Sequence, residues 1–178
     1  MHDVKLSDGV VTLSPLRLDD VRAHLAGEDE LLVRWLNGGP PGTREGVEAY
    51  IRHCREQWDT AGPLRAFGIR EDVDGVLAGT VDLRFVGEGL APGQVNVAYG
   101  LYPSWRGGRG LATRAVLLAC QYAARVGGEQ AVIQVEPENP ASAAVAQRAG
   151  FIPPGRPTHG KDGTRFDWYV RDLHTIAL

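Results

Sequence analysis

The chain has 178 residues, 43% of them hydrophobic, and a formal net charge of −3, with a pI of about 5.9. Length and composition suit one packed domain spanning 1–178. The slight acidic excess argues against a nucleic-acid binder, which carries a basic surplus, and is compatible with a cationic substrate. No apolar run approaches the ~18 residues of a membrane span, and Met1 to Asp8 is too polar for a signal peptide. Cys54 and Cys120 lie far apart without metal-type spacing, so reduced thiols, no metal and a cytoplasmic location are expected.

Val10 to Leu16 alternates as a strand behind the turn Ser7-Asp8-Gly9. Asp19-Asp20 opens a short helix through Ala26, and Glu28 to Trp35 reads as another, stopped by Asn37-Gly38-Gly39-Pro40-Pro41. Thr43 is placed as an N-cap, with acidic residues in the first turn, of a helix reaching Asp59. Val47, Tyr50, Ile51, Cys54 and Trp58 form its apolar stripe. Leu64 to Arg70 and Gly75 to Phe85 are strands joined by the hairpin signal Asp72-Val73-Asp74-Gly75. A polar loop, Gly87 to Gly93, leads to a strand over Val95 to Tyr102. Beyond a glycine-rich turn, Leu111, Ala115, Leu118, Ala119 and Tyr122 share one face of a long helix that Gly127-Gly128 ends. Ala131 to Val135 is a short buried strand, Pro140 to Ala149 a small-residue helix, and Arg165 to Arg171 a last strand. Phe151 to Pro157 is too rich in proline for a regular element.

The turn before the long helix carries the chemistry. Arg106, Gly107, Gly108, Arg109 and Gly110 precede Leu111 and Ala112. Glycines let a backbone approach a ligand closely, and a helix start offers free N–H groups and positive potential, so this is an anion site with phosphate the usual anion. It is not a P-loop, since no lysine is present. It is not a dinucleotide fingerprint, since Thr113 stands where the third glycine belongs, which also disfavours a nicotinamide-binding protein.

The stretch resembles motif A of the GNAT family of acetyl-CoA-dependent N-acetyltransferases, in which Arg-Gly-x-Gly-x-Gly/Ala wraps the CoA pyrophosphate. Glu138-Asn139-Pro140-Ala141-Ser142 and Ala149-Gly150-Phe151 are similar to two further family segments in the right order. The likeness covers nearly the whole chain and is nearest the Rim-type branch, which acetylates ribosomal-protein N-termini and small amines. It implies an α/β fold of the GNAT α+β type: a mixed, mostly antiparallel sheet with helices on both faces and a splayed parallel strand pair that binds acetyl-CoA. The loop holds one residue more than is usual between Pro103 and Gly110, which leaves open whether Arg106 or Arg109 faces the pyrophosphate.

The resemblance also implies roles. Leu101 and Tyr102 would pair with pantetheine through their backbone, as an added strand does, and Asn139 would hold the pantetheine arm; the alternative for Asn139 is a turn-stabilising residue before proline. Many members protonate the leaving thiolate with a Tyr five residues before the Phe of Ala-Gly-Phe, but that position is Ala146 here. Ser142 is then the candidate acid, or a serine that bonds its own helix backbone. Relatives carry a Glu where this chain has Asn96, an amide that can orient a water but cannot take a proton. Asp82 and Glu136 are the remaining candidate bases. Tyr99 is read as core or cofactor packing; Trp35, Trp58, Trp105 and Trp168 could line an acceptor site, with core packing the first reading for each; no histidine is assigned to catalysis. The implied partners are acetyl-CoA and an amine acceptor, either a protein N-terminus or a small molecule, with a homodimer left open. A non-catalytic acyl-CoA sensor of the same fold is the second reading.

Overall fold

The computed structural model describes residues 4–37, 40–153, 157–160 and 162–175. Its strands are β1 (Leu6–Ser7), β2 (Val11–Pro15), β3 (Leu64–Glu71), β4 (Leu77–Arg84), β5 (Gln94–Leu101), β6 (Gln130–Val135), β7 (Thr158–His159) and β8 (Arg165–Asp172). Its helices are α1 (Val21–Gly27), α2 (Glu30–Leu32), α3 (Arg44–Asp59), α4 (Leu111–Arg125) and α5 (Pro140–Arg148). The strands form one mixed sheet in the order β1-β2-β3-β4-β5-β6-β8-β7. Neighbours run antiparallel except β5 and β6, which are parallel.

Two buried clusters flank the sheet, and side-chain alternation along each strand sorts residues between them. On β5, Val95, Val97, Tyr99 and Leu101 turn to the α4/α5 face, while Asn96, Ala98 and Gly100, with Tyr102 just past the strand end, turn to the α1/α3 face. On β4, Val81 and Leu83 join the first face and Thr80, Asp82 and Arg84 the second. The α4 stripe packs as its periodicity predicts: Leu111, Ala115, Leu118 and Ala119 are buried, and Tyr122 meets Trp58 and Phe67 edge to face. Thr43 caps α3 by accepting the Gly46 N–H at 3.1 Å, and Val47, Ile51, Cys54 and Trp58 bury its inner face.

Three local features differ from the sequence reading. The helix expected over Glu28 to Trp35 is one α turn followed by a π turn, Val33–Asn37. Packing sets that geometry: Leu32 and Leu36 both close onto β5 at Gly100, where a Cβ would come within 2.6 Å of either side chain. β1 and β7, two residues each, are too short to show a period and exist only because Leu13 and Phe166 stand in neighbouring strands. Ile152, in the proline-rich stretch, forms a bridge with Val170. The middle of that stretch and the stop at Gly38-Gly39 lie outside the described residues.

Candidate active site

β5 pairs with β6 at only three positions, Gln94–Gln130, Val95–Ala131 and Asn96–Val132. Beyond them β5 stays with β4 as far as Leu101, and β6 stays with β8 as far as Val135. Each strand is held by its outer neighbour, so the two part and leave a slot edged by unpaired backbone. A cavity of about 1130 Å³ reaches both faces of the sheet here, lined by Val97 to Leu101 and by Ile133, Gln134 and Glu136. Among the expected site residues, all but Tyr102 line it.

At one end lies the glycine-arginine turn. Gly107, Gly108 and Gly110 have φ of +89°, +78° and +68°, and a Cβ at any of them would meet nothing within 4 Å. The glycines are therefore needed for backbone conformation rather than for want of room. Gly110 is the N-cap of α4 and no side chain caps the helix, so its first N–H groups face the cavity wall at Leu111, Ala112 and Thr113. Such an uncapped helix start can receive an anion.

The two arginines have different tasks. Arg106 forks onto Asp29, with Nη1–Oδ2 at 2.6 Å and Nη2–Oδ1 at 2.9 Å, while its Nε donates to the Leu101 carbonyl at 2.9 Å. The Arg106 guanidinium holds the Asp29 carboxyl below the usual carboxylate range. Because Asp29 also caps α2 through the Leu32 N–H, Arg106 ties the glycine-arginine turn to the α2 wall. Arg109 lies over the Trp105 ring at 5.2 Å, pairs with Glu71, and keeps about half its side chain (49%) in solvent.

On the α4/α5 face, α5 brings Ser142 to the slot. The Tyr99 hydroxyl sits 2.9 Å from Ser142 Oγ and 2.9 Å from the Ser142 carbonyl oxygen. Burial pushes the Tyr99 phenol up to about 12, so it remains a neutral hydrogen-bonding group. Asn139 Oδ1 accepts the Ser142 N–H at 3.2 Å and caps α5, leaving the amide NH₂ for another partner. Ala146 is fully buried, so the usual tyrosine at that position would overpack the core.

On the α1/α3 face, Asp82 is buried beside the slot. Tyr50 of α3 donates its O–H to Asp82 Oδ2 at 2.8 Å, and Arg84 Nη2 stands 3.8 Å from the same oxygen. Burial raises the Asp82 carboxyl above its ordinary value, partly offset by these two neighbours. Asn96 occupies the same face one strand over, opposite Arg84. Glu136 lines the cavity from the end of β6 and is half-buried.

A family model of the acetyltransferase (GNAT) domain matches residues 11–152. The chain belongs to the GNAT acetyltransferase family. Its fold is shared by solved structures of low identity. Mycobacterium smegmatis RimJ, in complex with CoA-disulfide, aligns with a TM-score of 0.77 and 23% identity over 98% of this chain and 88% of that one. Spermidine N-acetyltransferase from Vibrio cholerae, in complex with CoA and spermine, gives 0.74 and 15% over 94% and 98%. RimL, a ribosomal L7/L12 alpha-N-protein acetyltransferase in complex with coenzyme A, gives 0.74 and 19% over 94% and 96%. No curated protein matches the chain in sequence.

Set in the GNAT frame, some expectations change. Tyr102 cannot offer its N–H to a ligand, because that group donates to the Ala78 carbonyl at 2.9 Å. Its ring is buried and its hydroxyl meets His24 Nδ1 at 2.8 Å. The Leu101 carbonyl is likewise occupied by Arg106. The exposed β5 edge available for pairing is therefore Val97 to Gly100, one or two residues earlier than expected. Trp58 is core, the first reading of the tryptophans, while Trp35 and Trp105 line the cavity, the alternative one. Tyr50 and Tyr99 were missed as site residues. The helical stripe accounts for Tyr50 and the strand pattern for Tyr99, and neither reveals that each hydroxyl ends on a site residue. Among the described residues, no His, Cys, Asp and Glu group could hold a metal, and no helix is long and apolar enough to cross a membrane.

Proposed function

We propose that this GNAT protein is a Rim-type N-acetyltransferase that moves an acetyl group directly from acetyl-CoA to the primary amine of a protein N-terminus or a small molecule. The observation that carries the reading is the slot: it connects a phosphate cradle and Ser142 on one face with a polar pocket around Asp82 on the other. Donor and acceptor then approach the same opening from opposite sides.

Acetyl-CoA supplies the activated acyl group as a thioester. The N–H groups at the start of α4, with Arg109, hold its pyrophosphate, and Arg106 keeps the turn in shape. The unpaired edge of β5 pairs with the pantetheine amides, and the Asn139 NH₂ adds a donor. Ser142 Oγ, oriented by Tyr99, delivers a proton to the departing sulfur.

A panel of amines scored by free-CoA release tests this, using spermidine, a simple primary alkylamine and a peptide amide with a free N-terminus. Turnover with at least one amine is expected. CoA binding without turnover on any amine would leave the second reading, a non-catalytic acyl-CoA module.

A further inference from the structure

The α1/α3 face presents two buried oxygens with nothing to bind. Asp82 Oδ1 and Asn96 Oδ1 have no hydrogen-bond partner among the described residues, and both residues line the cavity. Buried acceptors are almost always satisfied in native proteins, so an unpaired pair beside a slot marks a place for donors.

Their positions are specific. Asp82 is paired with Ala98, two residues past the last β5–β6 pair at Asn96. Adjacent strands lie ~4.8 Å apart, so the Asp82 backbone stands about one strand spacing from β5, and its carboxylate projects on the α1/α3 face. Tyr50 fixes Oδ2, which leaves Oδ1 as the oxygen on offer. Asn96 is on the neighbouring strand, two residue pairs along and so on the same face. Two buried acceptors, one of them on a carboxyl group, suit a group with several N–H donors and a positive charge. That group is a primary ammonium.

We propose that Asp82 Oδ1 receives the acceptor ammonium and takes its proton, with Asn96 Oδ1 accepting a second N–H and Tyr50 holding the carboxylate in place. The inference rests on the N-acetyltransferase reading and chooses among its candidate bases. Glu136 lies at the half-buried end of β6, where water can satisfy its oxygens. One N–H bond of the ammonium breaks as the Asp82 O–H bond forms. The freed lone pair makes the N–C bond to the acetyl carbon as the C–S bond breaks. The electron pair leaves with sulfur, which takes the Ser142 Oγ proton while that oxygen receives the second proton shed by nitrogen, and the proton on Asp82 returns to solvent.

The groups facing Asp82 are Tyr50 and Cys54 from α3 and Arg84 on its own strand, with Glu28 and Glu136 across the cavity. Burial pushes the Tyr50 phenol up and the Cys54 thiol up to about 12, so both stay neutral near physiological pH. Burial also raises Asp82, bringing it closer to the ammonium it must deprotonate.

The test uses the full chain, the fastest amine of the panel, and the variants Asp82→Asn and Tyr50→Phe. At pH 7 Asp82→Asn should lose at least ~10²-fold in kcat/KM for the amine, with calorimetric CoA affinity unchanged. Tyr50→Phe should lose roughly 10-fold, since it only releases Oδ2. The loss in Asp82→Asn should shrink as pH rises through the pKa of the amine, because the substrate then arrives neutral; a merely structural role would not recover. With unreactive CoA bound, the cationic amine should bind Asp82→Asn at least ~10-fold more weakly. Activity within a fewfold of wild type, or a loss independent of pH, overturns the inference and leaves the transferase reading standing. A wild type that turns over no amine overturns both.

Discussion

Gly110→Asp separates folding from cofactor binding. Gly110 has φ +68° and ψ 15°, and a Cβ there would touch nothing within 4 Å. The substitution therefore costs only left-handed backbone strain, ~1–2 kcal/mol for an L-residue and less for Asp. A carboxylate at the positive end of α4 returns ~0.3–1 kcal/mol. The unliganded variant should stay within ~1 kcal/mol of wild type, a melting shift under ~4 °C for a chain of this size. CoA binding should change far more. A carboxylate ~5 Å from a pyrophosphate carrying two charges is repelled by ~1.7 kcal/mol in fully aqueous screening and ~7 kcal/mol at an effective dielectric of 20. The lower figure already means about 15-fold weaker binding. In thermal melts, CoA at 100 times its Kd stabilises wild type by ~2.7 kcal/mol, a rise of ~5–11 °C. At the same CoA concentration Gly110→Asp should show at most about half that rise, ~2–5 °C from the ~1.2 kcal/mol left at 15-fold weaker binding, and less at the higher figure. An undiminished rise would mean that phosphate does not sit at this turn.

Two further outcomes follow from the slot. Ser142→Ala should lower kcat by ~10² to 10⁴-fold with CoA affinity unchanged, since a proton given to sulfur matters only in the transition state. If Tyr99 acts through Ser142 Oγ, Tyr99→Phe should add little in the Ser142→Ala background; additive losses, or a fewfold effect of Ser142→Ala, would remove Ser142 from the chemistry. Asp82→Asn should stabilise the fold at neutral pH. Burial raises the folded-state carboxyl above its unfolded value, so wild-type stability is fully present below the unfolded pKa and falls as pH rises through the folded one. The variant lacks that fall, so its melting advantage should appear above that range and vanish on acidification. A difference that ignores pH would place the buried charge elsewhere.

Much of the architecture was written locally. The stripe Leu111, Ala115, Leu118, Ala119, the Thr43 cap and the turn between β3 and β4 depend on residues close in the chain, and each sits where its pattern puts it. The glycine-arginine turn was legible for the same reason: positive φ and an uncapped helix start are properties of a few consecutive residues. Pairing across the fold was not legible. No periodicity distinguishes Tyr50 from its core neighbours Val47 and Ile51, yet its hydroxyl fixes Asp82, 32 positions away. Nor does the run of strand residues tell Tyr99 from Val97, although only Tyr99 reaches Ser142 on α5. Arg106 and Arg109 look equivalent in the turn; Asp29, at the start of the short α2, makes Arg106 a brace, while Arg109 pairs with Glu71 and stays half exposed. Backbone conformation is decided by short-range sterics and hydrogen bonding. A side chain's partner, its burial and therefore its protonation depend on which distant elements the sheet order brings together, and only the tertiary structure decides those.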